Sequence, residues 1–185
     1  MLARKVLRPL SARHFALWLK ALGILFASAL LVHAPSILFN VSWYYATNSD
    51  FDIHYRWAVQ FSEGLRAGDP YPHWMSQGSF GFGEPALLFY SPLFYYLCGA
   101  VRVVTSNTWD AMRVVFLLST ILTGFFGWRL FRLFAGDGYA LFGAVLLQWA
   151  PMIFGLFYYF SGFPWAVGFA AIVALTYCVL RPGAF

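Results

Sequence analysis

Read for its alternation of apolar and polar positions, the chain is a series of long hydrocarbon runs with one polar interruption. Apolar runs at 18–39, 112–133, 139–159 and 164–180 are each close to the roughly 20 residues that a helix needs to cross a bilayer. They predict an all-α integral membrane protein with four transmembrane helices. The interruption, Asn48 to Tyr96, holds five of the seven acidic residues, two of the four histidines and much of the Gly and Pro. A polar loop of this length in so apolar a chain is where function is expected.

Within the interruption, residues 50–67 read as an amphipathic helix. Ser49 and Asp50 are N-cap residue types, and Ser49 with Asp52 forms a loose capping box. Ile53, Trp57, Phe61 and Leu65 recur every four residues, with Arg56, Gln60 and Glu63 on the other face. Gly68, Pro70 and Pro72 end it. One apolar stripe opposite a polar face predicts a helix lying along the membrane surface. Tyr71 to Glu84 reads as loop. Its GSFGFGEP lacks the Lys-Ser/Thr and the strand-to-helix setting of a phosphate-binding loop, so it reads as a flexible turn.

The run at 86–105 allows two topologies, and a fifth span if it crosses. Pro85, Pro92 and Arg102 interrupt it. If it stays outside, Arg4, Lys5, Arg8, Arg13, Lys20, Arg129, Arg132 and Arg181 share one side with a single acid, Asp137. Arg56, Arg66, Arg102 and Arg113 then lie opposite among six acids. The positive-inside rule favours that arrangement, with a cytoplasmic N-terminal tail over 1–17 and an external loop over 40–111. The loop carries two juxtamembrane helices, near 50–67 and 86–105. A signal-peptide cut after Ala34 is disfavoured because Pro35 would follow it and the apolar run resumes at Ile37.

Composition supports the membrane assignment: 61% hydrophobic, 22% aromatic, 10% charged and a mean hydropathy of +0.67, against roughly 25% charged in soluble domains. The formal charge of +5 comes from cations at the ends of apolar runs, which topology explains without nucleic acid. Cys98 and Cys178 both lie in apolar runs and are expected to be small buried hydrophobes. His33 is expected near the outer interface.

Asp50 and Asp52 open the surface helix and are the candidate catalytic residues. They suit a general base or a divalent-cation ligand, and equally an N-cap and a first-turn acid on a helix dipole. His54 and Arg56 suit a phosphate, although Asp52 and Arg56 also make an i,i+4 pair. His73 and Trp74 could line a sugar by stacking or anchor the interface.

The run DFDIHYR (Asp50 to Arg56), followed by GDPYPHW and then GFGEPALLFYSPLFYYL, resembles the first external loop of GT-C-fold glycosyltransferases. Asp50, four residues before His54-Tyr55-Arg56, is similar to the Asp-x-x-x-His-Tyr-Arg pattern of the oligosaccharyltransferase catalytic subunit. The later GFGEP and FYSPLFYYL segments resemble a bacterial multi-span group labelled as related to 6-pyruvoyl-tetrahydropterin synthase or of the YfhO type; no residue here suggests pterin chemistry. The resemblance implies a GT-C-like N-terminal module in a bacterial inner membrane. It further implies sugar transfer from a polyprenyl-phosphate donor to an acceptor at the outer face. It implies that Asp50 is the catalytic or metal-binding acid; Asp52 is then the expected auxiliary, and His54, Arg56, His73, Trp74, Glu84 and Tyr90 are the expected substrate-binding residues. Mg or Mn at Asp50 is the implied cofactor. Such enzymes commonly carry a second acid in the next external turn, here SGFPWA, which has none. With four or five spans the chain is expected to pair with a second membrane chain, or to be a non-catalytic subunit that docks partners through its aromatic loop.

Overall fold

A computed structural model describes residues 12–38, 50–105, 107–151 and 162–183. Among these residues the secondary structure is helical, with no strand beyond a single antiparallel bridge between Met75 and Glu84. The helices are α1 (Ala12–Leu38), α2 (Phe51–Arg66), α3 (Ala86–Phe89), α4 (Leu93–Val101), α5 (Thr108–Phe131), α6 (Asp137–Gln148) and α7 (Phe163–Leu180). Three of them, α1, α5 and α7, contain stretches long and apolar enough to cross a membrane. The described residues are therefore all-helical, and three apolar helices of spanning length mark a membrane protein.

The α1 helix runs through Ala34–Pro35 to Leu38. The α5 helix starts about one turn before the expected 112 because Asn107 caps it. The Asn107 side-chain Oδ1 accepts from the Asp110 backbone amide at 2.8 Å, and its Nδ2 donates to the Asp110 carboxylate at 2.6 Å. Pro164 stands in the first turn of α7, where its missing N–H costs nothing. The run at 86–105 is two helices of four and nine residues, because Tyr90 is extended and Pro92 supplies no backbone donor. Nine residues reach about 14 Å, half of what a span needs.

The expected span at 139–159 is helical from Asp137 to Gln148 and then leaves helical geometry before Pro151. A residue preceding proline is pushed away from the helical region. The rest of that run and Ser161 of the SGFPWA turn lie outside the described residues, whereas Phe163 to Ala166 of that turn form the first turn of α7. Twelve residues carry α6 about 18 Å, roughly to the middle of the bundle.

The α5 helix is the axis; α1, α2, α4, α6 and α7 all pack against it. The middle of its buried face is small, with Ser119, Thr120, Thr123, Gly124 and Gly127, between larger buried side chains such as Phe116 and Trp128 toward either end. In lipid, close backbone approach and interhelical hydrogen bonds replace the hydrophobic effect as the source of contact. A Cβ on Gly124 would stand 2.3 Å from Gln148 Nε2, and one on Gly127 would stand 2.8 Å from Leu147. Through this gap the Gln148 amide donates to Leu25 O at 3.2 Å and Thr120 O at 3.1 Å, joining α1, α5 and α6. Beside it Trp149 Nε1 donates to Ser28 Oγ at 3.1 Å, and His33 Nε2 lies 3.0 Å from Thr120 Oγ1. His33 is buried within this helix contact, one turn before Ser36 at the loop end of α1. Of the cysteines, Cys98 is buried, while Cys178 faces outward on α7; neither forms a disulfide.

The bundle has two distinct ends. At one, Trp18 of α1 meets Trp128 of α5 edge-on at 4.9 Å, and Arg129 lies over the rings of Trp18 and Tyr177. At the other, Arg113 donates to Ser36 O, and Phe163 of α7 receives Phe51, Phe94 and Trp109. Residues 50–105 sit on the second end. The described groups Lys20, Arg129, Arg132 and Arg181 therefore gather at the end opposite the loop.

Replacing Gly124 with alanine forces Gln148 out of its gap, and overpacking of this kind costs about 1–3 kcal/mol. Thermal unfolding in detergent micelles is expected to show a lowered midpoint for Gly124→Ala. A wild-type midpoint would mean that α6 does not approach α5 this closely.

Candidate functional site

The loop end is built on α2; of the expected stripe, Phe61 is buried and Trp57 and Leu65 pack half-buried against the core, and only Ile53 does not. The buried side chains of α2 are Phe51, His54, Ala58, Phe61 and Ser62, whereas Ile53 is exposed. A strict four-residue spacing overshoots each turn by about 40°, so the stripe from Ile53 to Leu65 winds around the helix. Mixed three- and four-residue steps keep Phe51, His54, Ala58 and Phe61 on one face. Gln60, assigned to the solvent face, instead holds the loop: its Oε1 accepts from the Gln77 amide at 2.9 Å and from Ser76 Oγ at 3.3 Å.

Asp50 is the N-cap residue and is exposed, with no side-chain hydrogen bond to the helix start. Its carbonyl accepts from the His54 amide at 3.0 Å. Ser49 of the expected capping box lies outside the described residues. Asp52 pairs with Arg56 at 2.9 Å, with both side chains about half exposed. Such an exposed pair contributes little to stability, and its carboxylate and guanidinium occupy one another.

His54 is buried, with Nδ1 2.7 Å from the Tyr95 hydroxyl. The rings of Trp57, Tyr90 and Phe163 surround it at 5.8, 5.6 and 6.5 Å. Burial pulls its pKa down to about 4, and the Asp50 charge offsets only part of that shift. Burial, together with Tyr90 and Cys98, pushes the Tyr95 phenol far up. A neutral imidazole and a protonated phenol thus face each other at neutral pH.

Glu84 stands one layer out. Its Oε1 accepts from Trp57 Nε1 at 2.7 Å, and its Oε2 accepts from Ser79 Oγ at 3.2 Å. Its backbone pairs both ways with Met75, at 2.8 and 3.1 Å. The bridge closes a turn whose Ser79 and Phe80 adopt left-handed backbone angles, φ 47° and 58°. Those angles are uncommon for non-glycine residues, and Phe80 and Phe82 are held fully exposed. Trp74 covers Gly83, where a Cβ would come within 2.6 Å of the indole. His73 is exposed, with Nδ1 3.0 Å from Tyr71 O. The hydroxyl of Tyr71 donates to Leu87 O, and that of Tyr96 donates to Pro70 O at 2.6 Å.

The structure thus brings His54 and Tyr90 together and links Glu84 to them through Trp57. Asp50 lies on the turn above His54. Arg56 points away with Asp52, while Trp74 and His73 belong to the loop layer. Among the described residues no three His, Cys, Asp or Glu side chains gather as a metal site. The described residues do not supply a ligand set for the expected Mg or Mn at Asp50, so no step is routed through a metal. Sequence reading missed Trp57, Gln60 and Tyr95 as organisers. The signal available for His54 was its place on the Phe51–Ala58–Phe61 face. No protein-family model, no curated protein and no solved structure matches the chain.

The titration of His54 sets a pH dependence. Its folded pKa, about 4, lies below the ordinary 6.5, so the unfolded chain binds the proton first. Stability from this source is complete above about pH 6.5 and declines toward pH 4, by about 3 kcal/mol in all. Thermal midpoints measured across that range are expected to fall, and His54→Gln is expected to flatten the curve. An unchanged slope in that variant would place the titration elsewhere.

Proposed function

We propose that the chain forms part of a membrane-embedded sugar transferase of the GT-C type. The reaction passes a sugar from a polyprenyl phosphate to an acceptor at the outer face. The observation that carries the reading is Asp50: an exposed carboxylate, free of the capping bond its position invites, above a buried aromatic layer at the loop end of a membrane bundle. Asp50 takes the proton of the acceptor hydroxyl as its oxygen bonds to the sugar's anomeric carbon. The bond from that carbon to the phosphate oxygen breaks, and polyprenyl phosphate leaves. Asp52 keeps Arg56 turned toward the surface where the phosphate arrives, and the rings of Trp74 and Tyr90 offer stacking faces to the sugar. His54 and Glu84 shape the floor through Tyr95 and Trp57. The resemblance of residues 50–96 to the GT-C external loop supports the same reading.

The segregation of cations supports a cytoplasmic basic end and an outer loop end. A cysteine at exposed Ser76 is then expected to react with a membrane-impermeant maleimide added to intact cells. Protection until lysis would reverse the topology. The four-span count, with α6 continuing beyond Gln148, belongs to this reading, as does a second membrane chain that completes the site.

Transfer from a polyprenyl-phosphate sugar, measured in vesicles, tests the chemistry. Asp50→Asn is expected to lower the rate at least about a hundredfold, the usual scale for loss of a general base. Equal rates would remove Asp50 from the mechanism. A second, non-catalytic reading is favoured by the rigid turn that displays Phe80 and Phe82. There the loop docks a membrane partner, and Phe80→Ser with Phe82→Ser abolishes co-purification while Asp50→Asn does not.

A further inference from the structure

The basic end carries a cleft of about 240 Å³ between α1, α5 and α6. Its mouth is polar and its walls are not. Lys20 and Arg132 stand at the mouth with Asp137, while Leu17, Ile24 and Leu141 form the apolar walls. Arg132 approaches Asp137 through Nε at 2.5 Å, and a guanidinium has four further N–H donors to offer. Gly138 leaves one wall open, with nothing within 4 Å of where its Cβ would stand. Exposed Leu17, Leu22 and Ile24 continue the apolar surface along α1, on a helix apolar enough to span a bilayer.

We infer that this cleft binds one anionic phospholipid, with its phosphodiester between Lys20 and Arg132 and an acyl chain along Ile24 and Leu141. Two cations against one acid leave the mouth net positive, which suits a phosphate without a compensating ammonium. A choline headgroup finds no aromatic cage here. Trp18 is already covered by Arg129 at 5.0 Å and Arg132 at 5.8 Å, and Trp128 by Arg132 at 5.0 Å. Tryptophan and arginine packed together in this way are the side-chain types enriched at a headgroup boundary. A bound lipid here pins α6 to α1 and α5 at the end where α6 begins. The inference rests on the membrane bundle alone and is independent of sugar transfer.

Native mass spectrometry of the full chain in maltoside micelles tests it, using phosphatidylglycerol and phosphatidylcholine with identical acyl chains. Wild type is expected to retain phosphatidylglycerol about tenfold better, the scale of a charge-assisted contact. Lys20→Gln with Arg132→Gln is expected to bring the two lipids to parity. Arg181→Gln removes a charge at the same end but outside the cleft, and is expected to keep the preference. Gly138→Phe fills the cleft and is expected to lower retention of both lipids; it stands as the test if the double variant loses its helical circular dichroism. Equal retention by wild type, or the same loss in Arg181→Gln, overturns the site. Displacement by excess inorganic phosphate also overturns it as a lipid site, because a free anion has no acyl chain to hold.

Discussion

Helices surrounded by hydrocarbon gain little by hiding apolar surface from one another, so their association depends on how closely they approach and on polar groups that need partners. Here both requirements meet at Gly124. Its missing side chain admits the Gln148 amide, which reaches carbonyls of α1 and α5 at once. The small face of α5 continues through Thr120, Thr123 and Gly127, and the neighbouring helices take their spacing from it. A polar side chain in the last turn of α6 thereby ties that helix to α1 and α5 at once.

The loop end depends on a second contact of a different kind. Phe163, the first residue of α7, is fully buried among Phe51, Phe94, Trp109 and Phe116. These rings come from α2, α4 and α5, so one side chain seats the loop layer on the bundle. His54 lies against the same ring, and its neutrality follows from that position. The proposed chemistry at Asp50 therefore inherits its geometry from an aromatic core about one helical turn below it. A lipid site at the far end and a sugar site at the loop end would share only the α5 axis.

Much of this was legible in residue order. Run length and hydropathy mark α1, α5 and α7. The prolines argued against a span at 86–105, but its division into α3 and α4 was not expected, since residue order suggested one interfacial helix there. Cations at the ends of apolar runs forecast which ends lie together. The α2 helix was legible as amphipathic, but its face only in part. Ile53 and His54 are adjacent, and only the partners waiting on the bundle, Tyr95 and Phe163, decide that the histidine turns inward and the isoleucine outward.

Residue order thus determined that the chain is helical, that it belongs to a membrane and where its polar loop interrupts it, because these follow from local periodicity and transfer free energy. Tertiary structure alone decided which polar residues find each other. Gln148 with Leu25 and Thr120, Trp57 with Glu84, and Arg129 with Trp18 and Tyr177 are far apart in sequence. Their pairing depends on close approach through small residues and on burial that raises the cost of leaving a donor unmet. Neither is encoded in spacing along one helix.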